Sequence, residues 1–253
     1  MIRAVVNADD FGISDNVNQA IVSSFEKRII TNTTLMVNMP AAEAAVELAA
    51  ANGFSDRVGL HLNLTQGYPL TDKIRKSQNF CDKDGRFNAS FHLNTANRLF
   101  ISKHDSYLVY EEIEAQIRQY LEYALPEKHL DSHHHVHTDM SIWNMAKPLL
   151  KKYNFRTVRL SRNLYSKTSL FNSLYKKKLN GDIKRNHYDF SKYFGSYIDL
   201  KNNYQQIENG KVVEVMLHPM YSEDGVLMDT KTPMSDISDF FNAKKIVLEA
   251  ISI

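Results

Sequence analysis

The feature that most limits how this chain can fold is an alternation of short, β-branched apolar runs with longer stretches carrying apolar residues every three or four positions. Strand followed by helix, repeated, implies parallel strands joined by crossover helices. Every strand then ends on the same rim, which is where open and closed α/β folds keep their sites. With 253 residues, a single α/β barrel is within range, and the alternation predicts an α/β fold of that kind.

Residues 2–7 read as a buried first strand that Asp9-Asp10-Phe11-Gly12 breaks into a loop of carboxylates. Ser14 or Asp15 can cap the next helix, with Val17, Ile21, Phe25 and Ile29 on one stripe. A second strand over 33–39 leads into an alanine-rich helix over 41–51, with Gly53 as its C-terminal cap. In strand three, 58–65, leucines alternate with His61, Asn63 and Thr65, so the two sets face opposite ways. Such a polar face suits the rim of a barrel. Residues 66–105 read as a long loop with one short helix, and 106–124 as helix three, ended by Pro126. The segment 129–137 supplies strand four and its exit loop, followed by a helix over 141–152 and strand five over 156–161. Residues 162–205 are polar and aromatic without a clear period, and we read them as an irregular insertion in one domain spanning 1–253. Strand six is 212–219, stopped by Pro219, and a helical pattern covers 237–250.

The chemistry lies where these strands end. Five of the ten histidines fall in His129-Leu130-Asp131-Ser132-His133-His134-His135-Val136-His137, a density that structural needs do not explain. Asp9 and Asp10 follow strand one, His61 and Asn63 lie on strand three, Arg159 ends strand five and His218 ends strand six. One carboxylate and two imidazoles suit a divalent metal, with zinc the natural choice by ligand type. Of the adjacent aspartates, one can hold the ion and the other can serve as general base toward water. His218 could protonate a leaving group, Glu214 lies on the same strand face, and Arg159 could orient a carboxylate. Spacing leaves the ligand within the histidine run open. In a strand His133, His135 and His137 share a face, whereas in a helical turn His133 and His137 pair.

Four motifs in order, Asn7-Ala8-Asp9-Asp10-Phe11-Gly12, residues 59–65, residues 129–137 and Glu214-Val215-Met216-Leu217-His218-Pro219, resemble those of the YdjC-type carbohydrate deacetylases, which include chitooligosaccharide deacetylases. The resemblance implies a distorted (β/α) barrel related to polysaccharide deacetylases. It also implies removal of N-acetyl groups from small acetylated sugars, such as diacetylchitobiose, with release of acetate. It places metal ligands on Asp10, His61 and His133, the general base on Asp9 and the acid on His218. Asn63, Asp131, His137, Arg159 and Glu214 would then support the ligands or contact substrate, with His137 as reserve ligand. Members of the family are magnesium-dependent and dimeric, so the resemblance implies one Mg2+ ion, with Zn2+ as the alternative, and a homodimer. It also implies a further strand after the last helix.

Composition bounds the rest. A formal charge of +2 gives no field for nucleic acid, and no apolar run is long enough to cross a membrane. Lys176-Lys177-Lys178 and Lys184-Arg185 read as a solvated face. The N-terminus lacks the pattern of a signal peptide, and the single cysteine, Cys81, fits a reducing compartment, so a cytoplasmic protein is expected. Two other functions use similar residues. A metal-dependent phosphoesterase would need a phosphate loop that the sequence lacks, and a sugar-binding protein without catalysis would not need Asp9 beside Asp10. Aromatic residues of the insertion, such as Tyr193 or Phe194, could stack on sugars or fill the core.

Overall fold

The computed structural model describes residues 1–165, 168–186, 188 and 191–251. In chain order the elements begin with β1 (Arg3–Phe11), α1 (Asp15–Glu26), β2 (Asn32–Leu35), α2 (Ala42–Ala51) and β3 (Val58–Leu62). After a long connection carrying α3 (Ser90–Leu93) and α4 (Thr95–Leu99) come α5 (Lys103–Glu122), β4 (His129–Ser132), α6 (Met140–Lys152) and β5 (Thr157–Val158). The remainder comprises α7 (Leu170–Arg185), β6 (Tyr193–Ser196), α8 (Tyr197–Asn203), β7 (Val212–Leu217), β8 (Pro219–Tyr221), β9 (Leu227–Asp229), β10 (Thr232–Pro233), α9 (Met234–Ala243) and β11 (Val247–Leu248).

The main sheet runs β5-β4-β3-β2-β1-β7-β6, with β11 also pairing β1, and all its strands are parallel. It curls into a half-barrel surrounded by helices, the distorted α/β barrel that the sequence predicts. β5 and β6, at the two ends of the order, share no ladder. The chain leaving β5 bridges them instead: Asn163 and Leu164 donate backbone N–H groups to the Phe194 carbonyl at 3.1 and 3.0 Å, and Phe194 N–H donates to Asn163 Oδ1. The side chains on the outer face, among them Val6, Leu60, Leu130, Val213 and Val215, are buried in one apolar cluster with the helices. Polar residues fill the inner face below the rim as well as on it: Asn7, Thr34, His61, Asp131 and Glu214 are each at most 1% exposed.

Local chemistry accounts for most boundaries. Ser14 caps α1 by accepting from Val17 N–H, and Gly53, at φ +70°, follows α2 in the left-handed conformation that closes a helix. α5 starts earlier than the period suggests because the Ser102 hydroxyl accepts from Asp105 N–H. The long connection holds two short helices, α3 and α4, where one was expected. β5 has only two residues of the six expected.

Among the described residues of 162–205, α7, β6 and α8 are regular elements, which corrects the reading of the segment as irregular throughout. α7 buries only Leu179, Asn180 and Ile183, so its apolar stripe is too thin to read. β6 has four residues, and Gly195 interrupts its apolar pattern. The aromatic residues Tyr188, Phe194 and Tyr197 are buried in the core, and Phe190 lies outside the described residues. The pattern over 237–250 also divides. α9 ends at Ala243, Lys245 turns left-handed at φ +51°, and β11 pairs in parallel with Arg3 and Ala4. The strand expected after the last helix is therefore present.

Gly12 closes the turn that follows β1, with φ at +91°. A Cβ there would lie 3.1 Å from Ala42 Cα, 3.1 Å from Leu35 Cδ1 and 3.2 Å from the Met36 carbonyl oxygen. Gly12→Ala combines left-handed strain with a clash against backbone, and should lower stability by about 1 to 3 kcal/mol. Urea denaturation measures this, and an unchanged midpoint would mean that the turn relaxes without cost.

Candidate active site

Arg159 leaves the end of β5 and lies fully buried among three carboxylates. Its Nη1 and Nη2 donate to Asp9 Oδ2 and Oδ1 at 2.6 and 2.7 Å, Nη2 lies 2.7 Å from Asp131 Oδ2, and Nε donates to Glu214 Oε1 at 2.5 Å. The Phe194 ring covers the guanidinium, 4.8 Å from centroid to Cζ. Burial alone would raise the Asp131 pKa, but the Arg159 and His61 charges outweigh it and hold the carboxyl below its usual range. Glu214 goes the other way: burial pushes it up to about 7 despite Arg159. Three acidic groups thus share one guanidinium, and the His61 ring is the next basic neighbour of Asp131.

The next layer lies toward the rim. Asp131 Oδ1 is 2.6 Å from His61 Nδ1, while His61 Nε2 is 3.2 Å from Asp10 Oδ1. His133 Nδ1 is 2.7 Å from the same Asp10 oxygen, and its Nε2 is 2.9 Å from Gln66 Oε1. Burial would raise the Asp10 pKa, but the hydrogen bonds to both histidines reverse the shift and hold it far below the usual range. Burial would lower His61, yet the Asp131 charge and its bonds to Asp10 and Asp131 raise it to about 10. Asp10, His61 and His133 each present a ligand atom, all within 4.8 Å of one another. That donor set fits a divalent cation, with the Asp131 carboxylate fixing the His61 ring from behind.

Two backbone departures make this convergence possible. Adjacent residues of a strand normally face opposite sides. At Asp10, however, φ is +70° and the β1–β2 register shifts between Ala8 and Phe11, so Asp9 and Asp10 both reach the cavity. His134 and His135 are likewise left-handed, at φ +52° and +58°, and reverse the chain after β4. The histidine run is thus neither the strand nor the helical turn that spacing left open. Burial is the main cause that lowers His134 and His137 to about 4 and His129 to about 3, so these rings are neutral.

A cavity of about 540 Å³ opens over the site, lined by Asp9, Asp10, His61, His133, Met216 and His218 among others. His218 enters from β7 with its side chain 41% exposed. Its Nε2 is 4.0 Å from Asp9 Oδ2, and its Nδ1 is 3.9 Å from Asp229 Oδ1. Asp229, on β9, also accepts the His218 backbone N–H at 2.8 Å, and burial raises its pKa.

Residues 3–244 match the profile of the YdjC-like protein family. The chain belongs to that family. It is 32% identical over 232 residues to a carbohydrate deacetylase of Vibrio parahaemolyticus serotype O3:K6, covering 90% of this chain and 82% of that protein. A carbohydrate deacetylase of Halalkalibacterium halodurans is 31% identical over 88% of this chain and 87% of its own length. Among solved structures, a "putative cellobiose-phosphate cleavage protein" of Enterococcus faecalis V583 superposes with a TM-score of 0.70 at 21% identity, over 98% of this chain and 97% of that one. At that identity the likeness shows the fold alone.

The remaining residues singled out in this YdjC-like chain occupy supporting places. Asn63 organises the turn after β3: its Oδ1 accepts from Thr65 and Gln66 N–H groups, and its Nδ2 donates to the Gln66 carbonyl. The turn carries Gln66 to His133 and Thr65 to His134. His137 lies apart from the cluster, its Nε2 3.0 Å from the Arg159 carbonyl oxygen and its Nδ1 2.5 Å from Ser132 Oγ. Sequence reasoning assigned no role to Asn7, Thr34, Gln66 or Asp229. Asn7 Nδ2 donates to Asp9 Oδ1 at 2.9 Å and lies 3.3 Å from Asp131 Oδ2, and the Thr34 hydroxyl donates to Asp131 Oδ2 at 3.0 Å. A polar residue inside an otherwise apolar strand, as Asn7 is, was the available signal.

Replacing Arg159 with Met removes the shared partner of Asp9, Asp131 and Glu214 at similar length. The cost should be about 3 to 5 kcal/mol, as for a broken buried ion pair. Arg159→Lys should recover little, because an ammonium cannot fork to two carboxylates while bonding a third. Thermal and chemical denaturation measure both variants; wild-type stability in the Met variant would mean that the acids are held by other groups.

Proposed function

We propose that this chain is a metal-dependent carbohydrate deacetylase that removes N-acetyl groups from small acetylated sugars such as diacetylchitobiose and releases acetate. The observation that carries the proposal is the convergence of Asp10, His61 and His133 at one cavity with a clamped Asp9 and His218 beside them. Two relatives bearing the carbohydrate deacetylase name, at 31% and 32% identity, support the reaction class.

In this reading Asp10, His61 and His133 hold the ion, with His61 presenting Nε2 because Asp131 occupies Nδ1. A divalent ion there would supply Lewis acidity to the acetamide carbonyl and acidify a water. Arg159 and Asn7 fix the plane of the Asp9 carboxylate, which accepts the proton of the attacking water. His218, beside Asp9 and half-exposed at the cavity mouth, delivers a proton to the departing amine. Asp229 anchors the His218 backbone and stands near Nδ1, which favours the orientation with Nε2 toward Asp9. Two imidazoles and a carboxylate suit zinc, whereas the family resemblance favours magnesium, so both ions belong in the assay.

Protein stripped with chelator should lose acetate release from diacetylchitobiose and regain it with one of the added divalent ions. Asp9→Asn and His218→Ala should each lower kcat by roughly 10² to 10⁴, the usual contribution of general acid–base groups. Wild-type activity in Asp9→Asn would remove the base assignment. Turnover of an aryl phosphate in place of the acetylated sugar would favour a phosphoesterase.

A further inference from the structure

The cavity holds one more imidazole that the roles above leave unused. His92 stands on α3, in the long connection between β3 and α5, and its ring lines the same cavity as Asp9, Asp10, His61, His133 and His218. It lies outside the four motifs, in a stretch without clear period, so no spacing points to it. Its Nδ1 is 2.6 Å from Asp139 Oδ2, and the Asp139 side chain is fully buried at the start of α6. The His92 side chain is 19% exposed, and among the described residues its Nε2 has no hydrogen-bond partner.

Asp139 is itself held from several sides. Arg98 Nε donates to its Oδ1 at 2.6 Å, its N–H donates to the Val136 carbonyl at 3.0 Å, and its own carbonyl accepts from Trp143 N–H at 2.8 Å. A carboxylate fixed in this way keeps a proton on His92 Nδ1 whichever charge state the ring adopts. With Nδ1 turned into the wall, Nε2 is the polar atom left to the cavity, a lone pair in the neutral ring and an N–H in the charged one. A stitch between the connection and α6 does not require this ring. Arg98 already bonds Asp139, and the Ser141 hydroxyl donates to the Asn97 carbonyl at 2.7 Å. The neighbouring imidazoles differ: His61 and His133 have both nitrogens engaged, and the hydrogen bond to His134 comes from the Thr65 hydroxyl, at 3.0 Å.

We propose that His92 is a substrate-binding residue, oriented by Asp139, whose Nε2 takes one hydroxyl, at C3, C4 or C6, of the acetylated sugar. That the ligand is a sugar rests on the deacetylase reading. A hydroxyl both donates and accepts, so it satisfies Nε2 in either charge state of the ring, which a carbonyl or an ammonium would not. A site built around a hydroxyl also rejects the sugar that lacks it, because the protein nitrogen is then left unpaired.

Calorimetry on the full chain, stripped of metal so that no turnover intervenes, tests this with N-acetylglucosamine and its 3-, 4- and 6-deoxy derivatives. His92→Asn keeps an amide N–H for Asp139 at the place of Nδ1 and removes Nε2. The variant should keep the thermal midpoint and bind N-acetylglucosamine about tenfold more weakly, as loss of one hydrogen bond to a substrate hydroxyl provides. One deoxy sugar should show the same loss in wild type and no further loss in the variant, which identifies the hydroxyl. Wild-type affinity in His92→Asn, or losses that add independently for all three hydroxyls, would overturn the proposal. Acetate release from diacetylchitobiose by the metal-loaded protein keeps the two readings apart. Binding coupled to His92 without acetate removes the deacetylase and keeps the hydroxyl contact, whereas acetate with independent losses removes the contact alone. Failure of every sugar to bind wild type would remove both.

Discussion

Everything at the rim depends on one guanidinium shared by three buried acids. Among the described residues Arg159 is the one basic side chain that touches all three of Asp9, Asp131 and Glu214, at 2.5 to 2.7 Å. Isolated carboxylates in such a place would cost several kcal/mol each. With Arg159 present, Asp9 is locked in plane and Asp131 keeps its charge, which in turn fixes the His61 ring. The inner face of the sheet can therefore be polar well below the rim, where a parallel barrel would normally be filled with aliphatic side chains.

The second requirement is unusual backbone at two places. The bulge at Asp10 and the left-handed pair His134–His135 each place a side chain where regular geometry would not. Left-handed conformations of non-glycine residues cost of order 1 kcal/mol or more and persist only when packing over-determines them. Here the packing is visible. Ser132 Oγ accepts from His137 N–H across the histidine turn, and Gly12 lets the chain fold back against α2 after Asp10.

How much of this was legible in sequence follows the range of the interactions. Helices α1, α2, α5 and α6 and strands β1 to β4 carry local periods and caps and are all present, but their ends differ: β1 continues through Asp9 and Asp10 to Phe11 where a loop was expected, β2 and β3 stop at Leu35 and Leu62, and α5 begins at Lys103. Asp9, Asp10, His61 and His218 were found because strand ends on a common rim must be near one another, whereas His133 was singled out of the histidine run by the family resemblance alone. The structure brings them together; their roles remain those proposed above. α7 and β6 were missed because α7 buries a thin stripe and β6 is only four residues long. Asp229 and the pair of Arg98 with Asp139 reach their places through tertiary packing, which no period or spacing encodes. The left-handed geometry at Asp10 could not be read either, since aspartate is compatible with both conformations.

The position of β1 has a consequence for how the molecule is made. β1 is flanked by β2 on one edge and by β7 on the other, with β11 completing the first edge beside Arg3 and Ala4. The strand bearing both aspartates thus precedes β7 and β11 in the chain, and its ladders are filled only when those later strands are in place. Pairing across so long a stretch of chain closes a large loop and is slow. Because Asp9 and Asp10 come from β1 and His218 follows β7, the cavity is complete only once these two distant strands have paired, so its formation reports closure of the sheet.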